Sequence, residues 1–123
     1  MVFSACGGGQ TRPETAATKA YVKRGATLYE ANCVKCHGGH TGGNLRDIPP
    51  RHNANGHTWH HADQQLIDMT LNGITFSLEE QRMPAFKGKL SAEEVQAILA
   101  YIKTWWTEEQ REWQRKVTEQ WDK

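Results

Sequence analysis

The sequence feature that most restricts the fold is the pattern Cys-x-x-Cys-His, formed by Cys33, Cys36 and His37. Three kinds of site use this spacing: a covalent haem attachment site, a dithiol redox pair, and half of a zinc site. A structural zinc site needs four ligands, and no second Cys-x-x-Cys pair follows in the sequence. A thioredoxin-like dithiol needs a strand–helix–strand context, and no segment of the chain has the pattern of a strand.

Hydrophobic periodicity predicts three helices, over residues 17–32, 62–73 and 91–106. The last is the clearest, because Ser91 and Glu94 form a capping-box pattern just before its apolar positions. In the second helix, Asp63 is the expected N-cap and Gly73 the expected C-terminal stop. The chain is therefore expected to be all-α.

Glycine and proline residues predict long loops over 37–58 and 74–90. No apolar run approaches the length of a membrane-spanning helix. We expect residues 1–16 to form a disordered tether, 17–107 the folded domain, and 108–123 a charged C-terminal helical extension. The simplest expectation is that this extension is frayed. Trp113 and Trp121 are apolar for a free tail, so folding back, pairing with another chain and contact with a membrane partner stay open.

The haem interpretation requires a distant second axial ligand, and the sequence offers one. Cys33 and Cys36 are spaced to take the two vinyl groups of one porphyrin, and the imidazole of His37 can reach the iron. Met83, stiffened by the proline that follows it, can supply a thioether from the opposite side. Met69 is a competing ligand, but it occupies a core position of a predicted helix, which favours a packing role. With both axial positions filled, no place remains for a substrate, so the pattern favours an electron carrier over an enzyme.

Residues 17–106 resemble the class I c-type cytochromes, in particular the single-haem bacterial members. The matching patterns are Gly25-x-x-x-Tyr29-x-x-x-Cys33-x-x-Cys36-His37, Met83-Pro84-Ala85-Phe86 and Leu99-Ala100-Tyr101-Ile102. The resemblance implies an orthogonal helix bundle around one covalently bound haem c, with His37 and Met83 as the metal ligands. It also implies a single-electron carrier, not an enzyme, in a respiratory or other extracytoplasmic redox chain.

The same resemblance implies two supporting contacts. The first and last helices of these cytochromes cross closely, a small residue of one against an aromatic residue of the other; here the pair would be Gly25 and Tyr101. A proline carbonyl following the haem motif accepts a hydrogen bond from the proximal histidine and fixes its tautomer. Pro49 and Pro50 are the candidates.

Residues 52–61 contain more histidine than haem attachment requires. His52, His57, His60 and His61 lie around Trp59 in this stretch. Three interpretations stay open. Trp59 with His57 or His61 could donate hydrogen bonds to a haem propionate, which needs donors if it is buried. The histidines could be surface residues, or they could form a second site for copper or zinc.

Partners and location are indicated less directly. Lys35, Lys87 and Lys89 lie close in sequence to the two haem motifs and could form a positive ring for an acidic redox partner. The net charge of +1 gives no reason to expect nucleic acid binding.

Small residues before Cys6 resemble the end of a lipoprotein signal, which makes Cys6 a candidate lipid anchor, the only membrane attachment the sequence indicates. Because haem is attached to this motif outside the cytoplasm, an extracytoplasmic protein is expected.

Two other functional classes are compatible with parts of the sequence. One is a metal-handling module, in which the histidine cluster binds copper. The other is a ligand-sensing or peroxidatic haem protein, which would need a weakly bound or displaced Met83.

Overall fold

The computed structural model describes residues 16–43, 49–74 and 82–121. These residues form five helices: α1 (Ala16–Asn32), α2 (Val34–His37), α3 (Asp63–Asn72), α4 (Ala92–Lys103) and α5 (Glu108–Trp121). Among the described residues, one 3₁₀ turn is present, at Thr58–His60. Extended pairing in the described ranges is limited to isolated bridges, Ile74 with Met83 and Lys87 with Leu90. The predicted all-α class is confirmed.

The backbones of α1 and α4 approach each other closely at Gly25. A Cβ atom added at Gly25 would lie 1.9 Å from the carbonyl oxygen of Ala97, so no side chain fits between the two helices. The atoms nearest to this position belong to Ala97 and Ile98, one turn before the predicted partner Tyr101. Tyr101 packs instead against Tyr29, with ring centroids 5.8 Å apart.

Tyr29 is the centre of the core beneath this crossing. Its side chain is fully buried, its hydroxyl donates to the carbonyl oxygen of Gly38, and burial raises the pKa of the phenol. The Trp105 ring meets the Tyr29 ring edge-on at 5.3 Å. The tyrosine thereby ties the end of the Cys-x-x-Cys-His motif to α4 and the turn behind it.

A local capping signal fixes the start of α4, whereas α3 has no side-chain cap at its N-cap residue. The Ser91 hydroxyl accepts from the N–H of Glu94, and the Glu94 carboxylate accepts from the N–H of Ser91, so the predicted capping box is present. The hydrogen bond from the Ser91 N–H lowers the pKa of the Glu94 carboxyl, and the positive charge of Arg24 lowers it further. The prediction of Asp63 as N-cap is wrong, because Ala62 occupies that position.

α5 is a separate helix that packs on the domain and is not a frayed continuation of α4. It begins after Thr107, whose hydroxyl and backbone N–H form reciprocal hydrogen bonds with Gln110. The helix lies against the 3₁₀ turn and α3. Within 16–43, 49–74 and 82–121, no helix combines the length and apolarity needed to cross a bilayer.

Candidate functional site

The side chain best prepared for ligand chemistry is His37, the last residue of α2. It is 7% exposed, and its Nδ1 lies 2.7 Å from the carbonyl oxygen of Pro50. A carbonyl only accepts, so Nδ1 carries the proton and Nε2 keeps its lone pair. Burial lowers the pKa of His37, partly opposed by the Pro50 bond. The result is a neutral, oriented imidazole of the kind that binds iron, with Pro50, not Pro49, making the supporting bond.

The two thiols of the motif lie on one helical turn beside His37. The N–H groups of Cys36 and His37 both reach the Cys33 carbonyl, at 3.2 and 3.0 Å, and residues three apart share a helix face. Both cysteines are free thiols, Cys33 half-buried and Cys36 exposed. Burial, followed by the neighbouring Cys36, raises the pKa of Cys33 to about 11. The pair is available for two thioether bonds to one porphyrin.

Trp59 carries a polar group without a partner. Its Nε1 is buried and makes no hydrogen bond within the described part of the chain, while the ring packs against the core. Leaving such a donor unpaired costs about 1–3 kcal/mol, so the site calls for an acceptor. A propionate oxygen is such an acceptor. The thiols, the His37 imidazole and this donor together fit a covalently attached haem.

His52 lies directly beside His37, a position that the sequence alone did not distinguish from those of its neighbouring histidines. Its ring centroid lies 4.2 Å from that of His37, with the planes inclined by 31°, and its Nδ1 lies 2.6 Å from the Thr58 hydroxyl. Burial, followed by the neighbouring His37, lowers the pKa of His52 to about 3. One feature of the sequence pointed to this position: His52 lies two residues after Pro50, and the Pro50 carbonyl accepts the hydrogen bond from His37.

The other three histidines of residues 52–61 are more accessible to solvent than His37. His57 and His60 are exposed and His61 is partly buried, and the His57 and His61 backbones cap the two ends of the 3₁₀ turn. The His60 ring packs on Trp59 at 3.9 Å. Across the three described ranges, no group of three or more His, Cys, Asp or Glu side chains is placed to hold a metal ion. The copper or zinc interpretation gains no support from this arrangement.

Met83 is held by its backbone within the loop that leads from α3 to α4. Its N–H and carbonyl pair with Ile74 at 2.8 and 3.0 Å. Gly73, with φ of +80°, lies so close that an added Cβ would be 2.8 Å from the Met83 carbonyl oxygen. The side chains of Met83 and Met69 are both partly buried against the core. Gly73 therefore does more than end α3: it allows the Met83 backbone to lie against that end.

The candidate docking residues lie on the surface. Lys35, Lys87 and Lys89 are all exposed, and the Lys89 ammonium lies 5.7 Å from the centroid of the Phe86 ring. Cys6 lies outside the described residues.

Comparison with known proteins gives the family. The family model described as "Cytochrome C oxidase, cbb3-type, subunit III" matches residues 20–102. The chain is also 34% identical over 83 aligned residues to cytochrome c6 of Tetradesmus obliquus, covering 63% of this chain and 83% of that protein. No solved structure matches significantly. The chain therefore belongs to the c-type cytochrome family, binds haem c covalently, and transfers electrons with redox protein partners rather than catalysing a reaction.

Proposed function

We propose that Cys33 and Cys36 attach one haem c, that His37 and Met83 ligate its iron, and that the protein carries single electrons in a respiratory or other extracytoplasmic redox chain. The observation that carries this proposal is the state of His37. It is buried, its Nδ1 is bonded to Pro50 at 2.7 Å, and it directly follows the second thiol. Its Nε2 is left free to bind a metal.

Each proposed ligand has a role that follows from its chemistry. The haem supplies the one-electron couple. The Pro50 carbonyl fixes the tautomer and ring direction of His37, so the ligand needs no reorientation when the charge of the iron changes. A thioether from Met83 favours reduced iron and raises the reduction potential relative to harder ligands. With His37 and Met83 both holding the iron, no position on it would remain for a substrate.

Trp59 is the proposed donor to a haem propionate, supported by its buried, unpartnered Nε1. A carboxylate that accepts such a bond is stabilised in its ionised form. His57 and His61 flank the same turn and are proposed as secondary donors.

An optical redox titration of the matured protein tests the proposal. We expect covalently bound, low-spin haem with one reversible one-electron transition and no carbon monoxide binding by the reduced form. Carbon monoxide binding would indicate the ligand-sensing or peroxidatic class instead. A colourless protein that binds copper or zinc tightly would reject the proposal outright.

The same titration applied to Trp59→Phe tests the propionate donor. Phenylalanine keeps an aromatic ring at this position and removes the N–H donor, together with part of the volume of the indole. We expect a changed reduction potential, with the low-spin spectrum kept. An unchanged potential would exclude a bond between Trp59 and the propionate.

We propose that Lys35, Lys87 and Lys89 form the docking surface for an acidic redox partner, supported by their exposure and their closeness in sequence to the two haem motifs. Attraction between exposed charges is screened by salt. The second-order rate of electron transfer with an acidic partner protein should therefore fall as ionic strength rises, and fall less in a Lys87→Gln, Lys89→Gln variant. A rate independent of salt would remove this surface from the proposal.

We also propose an extracytoplasmic location, since haem attachment to this motif takes place outside the cytoplasm, and a lipid anchor at Cys6. The small residues before Cys6 support the anchor. Membrane fractionation of the wild type and Cys6→Ser checks it, since only the wild type should sediment with membranes.

A further inference from the structure

The C-terminal helix α5 and the turn before it hold the histidine-rich segment 52–63 through side chains at every fourth position. This set, here called the C-terminal ladder, consists of Trp106, Gln110, Gln114 and Thr118. In that order, their backbone partners are the carbonyl oxygens of His52 (2.9 Å), Ala54 (3.0 Å) and His61 (3.0 Å), and the N–H of Asp63 (3.1 Å). Residues 52–63 contain little regular secondary structure, so several of their backbone N–H and C=O groups are hydrogen-bonded by these side chains instead.

Gln114 is the central member of the ladder. Although α5 is highly charged, the Gln114 side chain is only 2% exposed. Its Nε2 reaches the Asp63 carboxylate at 2.7 Å in addition to the His61 carbonyl. A buried amide with its donors satisfied is costly to remove, because the groups it served lose their partners without regaining water.

The end of the ladder is fixed to the start of α3. The first N–H groups of a helix have no partner within the helix, and the Thr118 hydroxyl accepts from one of them, that of Asp63. The Asp63 carboxylate is bound by Gln114 and also, at 2.9 Å, by Lys103. Three helices, α3, α4 and α5, therefore meet at one aspartate.

The other end of the segment reaches the proposed iron ligand. The His52 carbonyl is held by Trp106, and the His52 ring lies against the His37 ring. Trp59, with its unpartnered donor, lies in the same segment. We propose that Gln114 and Thr118 are positioning residues for the haem pocket: through the segment 52–63 they hold the wall beside His37 and keep water from the haem. This inference rests on the proposed ligand role of His37.

The test compares matched variants of the matured protein. Thr118→Val is isosteric but lacks the acceptor, and Gln114→Ala lacks the amide. Thr118→Ser keeps the hydroxyl, and Gln120→Ala removes an exposed glutamine from the same helix. Two quantities are measured in each: amide hydrogen exchange of residues 52–63, and the reduction potential of the haem.

In Thr118→Val and Gln114→Ala, we expect exchange in 52–63 to be on the order of tenfold faster. We expect the potential to fall, because water near the iron favours the oxidised state. Thr118→Ser and Gln120→Ala should match the wild type in both measurements. If Gln114→Ala fails to mature, Thr118→Val still provides the comparison.

Unchanged exchange in Thr118→Val would overturn the ladder itself. Faster exchange with an unchanged potential would overturn the positioning role and leave a purely structural one. Each variant is compared with the wild type in the same ligation state, so a failure of the inference appears as a missing difference between them. A failure of the proposed ligation would appear in the wild-type titration itself.

Discussion

Gly25→Leu should yield no stable haem-containing protein, because its side chain would have to occupy the space of the Ala97 backbone. Even an alanine Cβ would lie 1.9 Å from the Ala97 carbonyl oxygen and 2.5 Å from its carbon. Neither atom can move without displacing α4. Overpacking of this kind typically costs about 1–3 kcal/mol, and more when backbone must shift.

Gly25→Ala gives the sharper measurement, because two effects of opposite sign compete. In an isolated helix, alanine is favoured over glycine by about 1 kcal/mol. Contact with Ala97 predicts the reverse, a free energy of unfolding lower by roughly 3 kcal/mol. Urea unfolding of the matured protein decides between them. Thr27→Leu, at an exposed position of α1, is the control for adding a leucine to this helix. A Gly25→Ala protein as stable as the wild type would disprove the tight crossing.

Met83→Leu should keep the covalent haem but lose the low-spin state. Leucine and methionine have similar volumes, so the exchange costs less than about 1.5 kcal/mol in packing, but leucine cannot bind iron. With one axial position open, the reduced protein should bind carbon monoxide. The reduction potential should fall by a substantial part of the roughly 0.8 V range over which axial ligands set haem potentials. Absorption spectra with and without carbon monoxide, together with the redox titration, measure all three effects.

Met69→Leu is the matched control, since both methionine side chains are partly buried against the same core. It should retain the wild-type spectrum and potential. If Met69→Leu instead lost the low-spin state and bound carbon monoxide, while Met83→Leu kept the wild-type spectrum, the iron ligand would be Met69 on α3. If both variants kept the low-spin state, a ligand other than methionine would be required.

Features encoded in consecutive residues could be predicted from the sequence. The Cys-x-x-Cys-His motif, the Ser91–Glu94 capping box and the glycine at the end of α3 are local patterns with local physical causes. The importance of Gly25 was also predictable, but its partner was not. Ala97 and Tyr101 lie one turn apart on the same helix, and only the packing of α1 on α4 determines which of them meets the glycine.

The role of α5 could not be predicted for a different reason. Gln114 has the side-chain type of a surface residue, and its main partners are a backbone carbonyl and a carboxylate on another segment. Every residue has the same backbone groups, so the sequence does not show which of them will accept a hydrogen bond. A glutamine that binds a backbone carbonyl therefore cannot be distinguished in the sequence from a glutamine on the surface. His52 shows the same limit, since its distinction from its neighbours is its place against the His37 ring.

The contact between Gly25 and Ala97 also constrains the order in which the chain can fold. It joins residues separated by about 70 positions, and closing a loop of that length costs on the order of 4 kcal/mol in chain entropy. The surface that stabilises α1 does not exist until α4 has been synthesised. The first helix therefore has no stable docking surface while the Cys-x-x-Cys-His motif is being synthesised. The motif is thus part of an open chain, and its thiols are accessible, before the pocket can close around it.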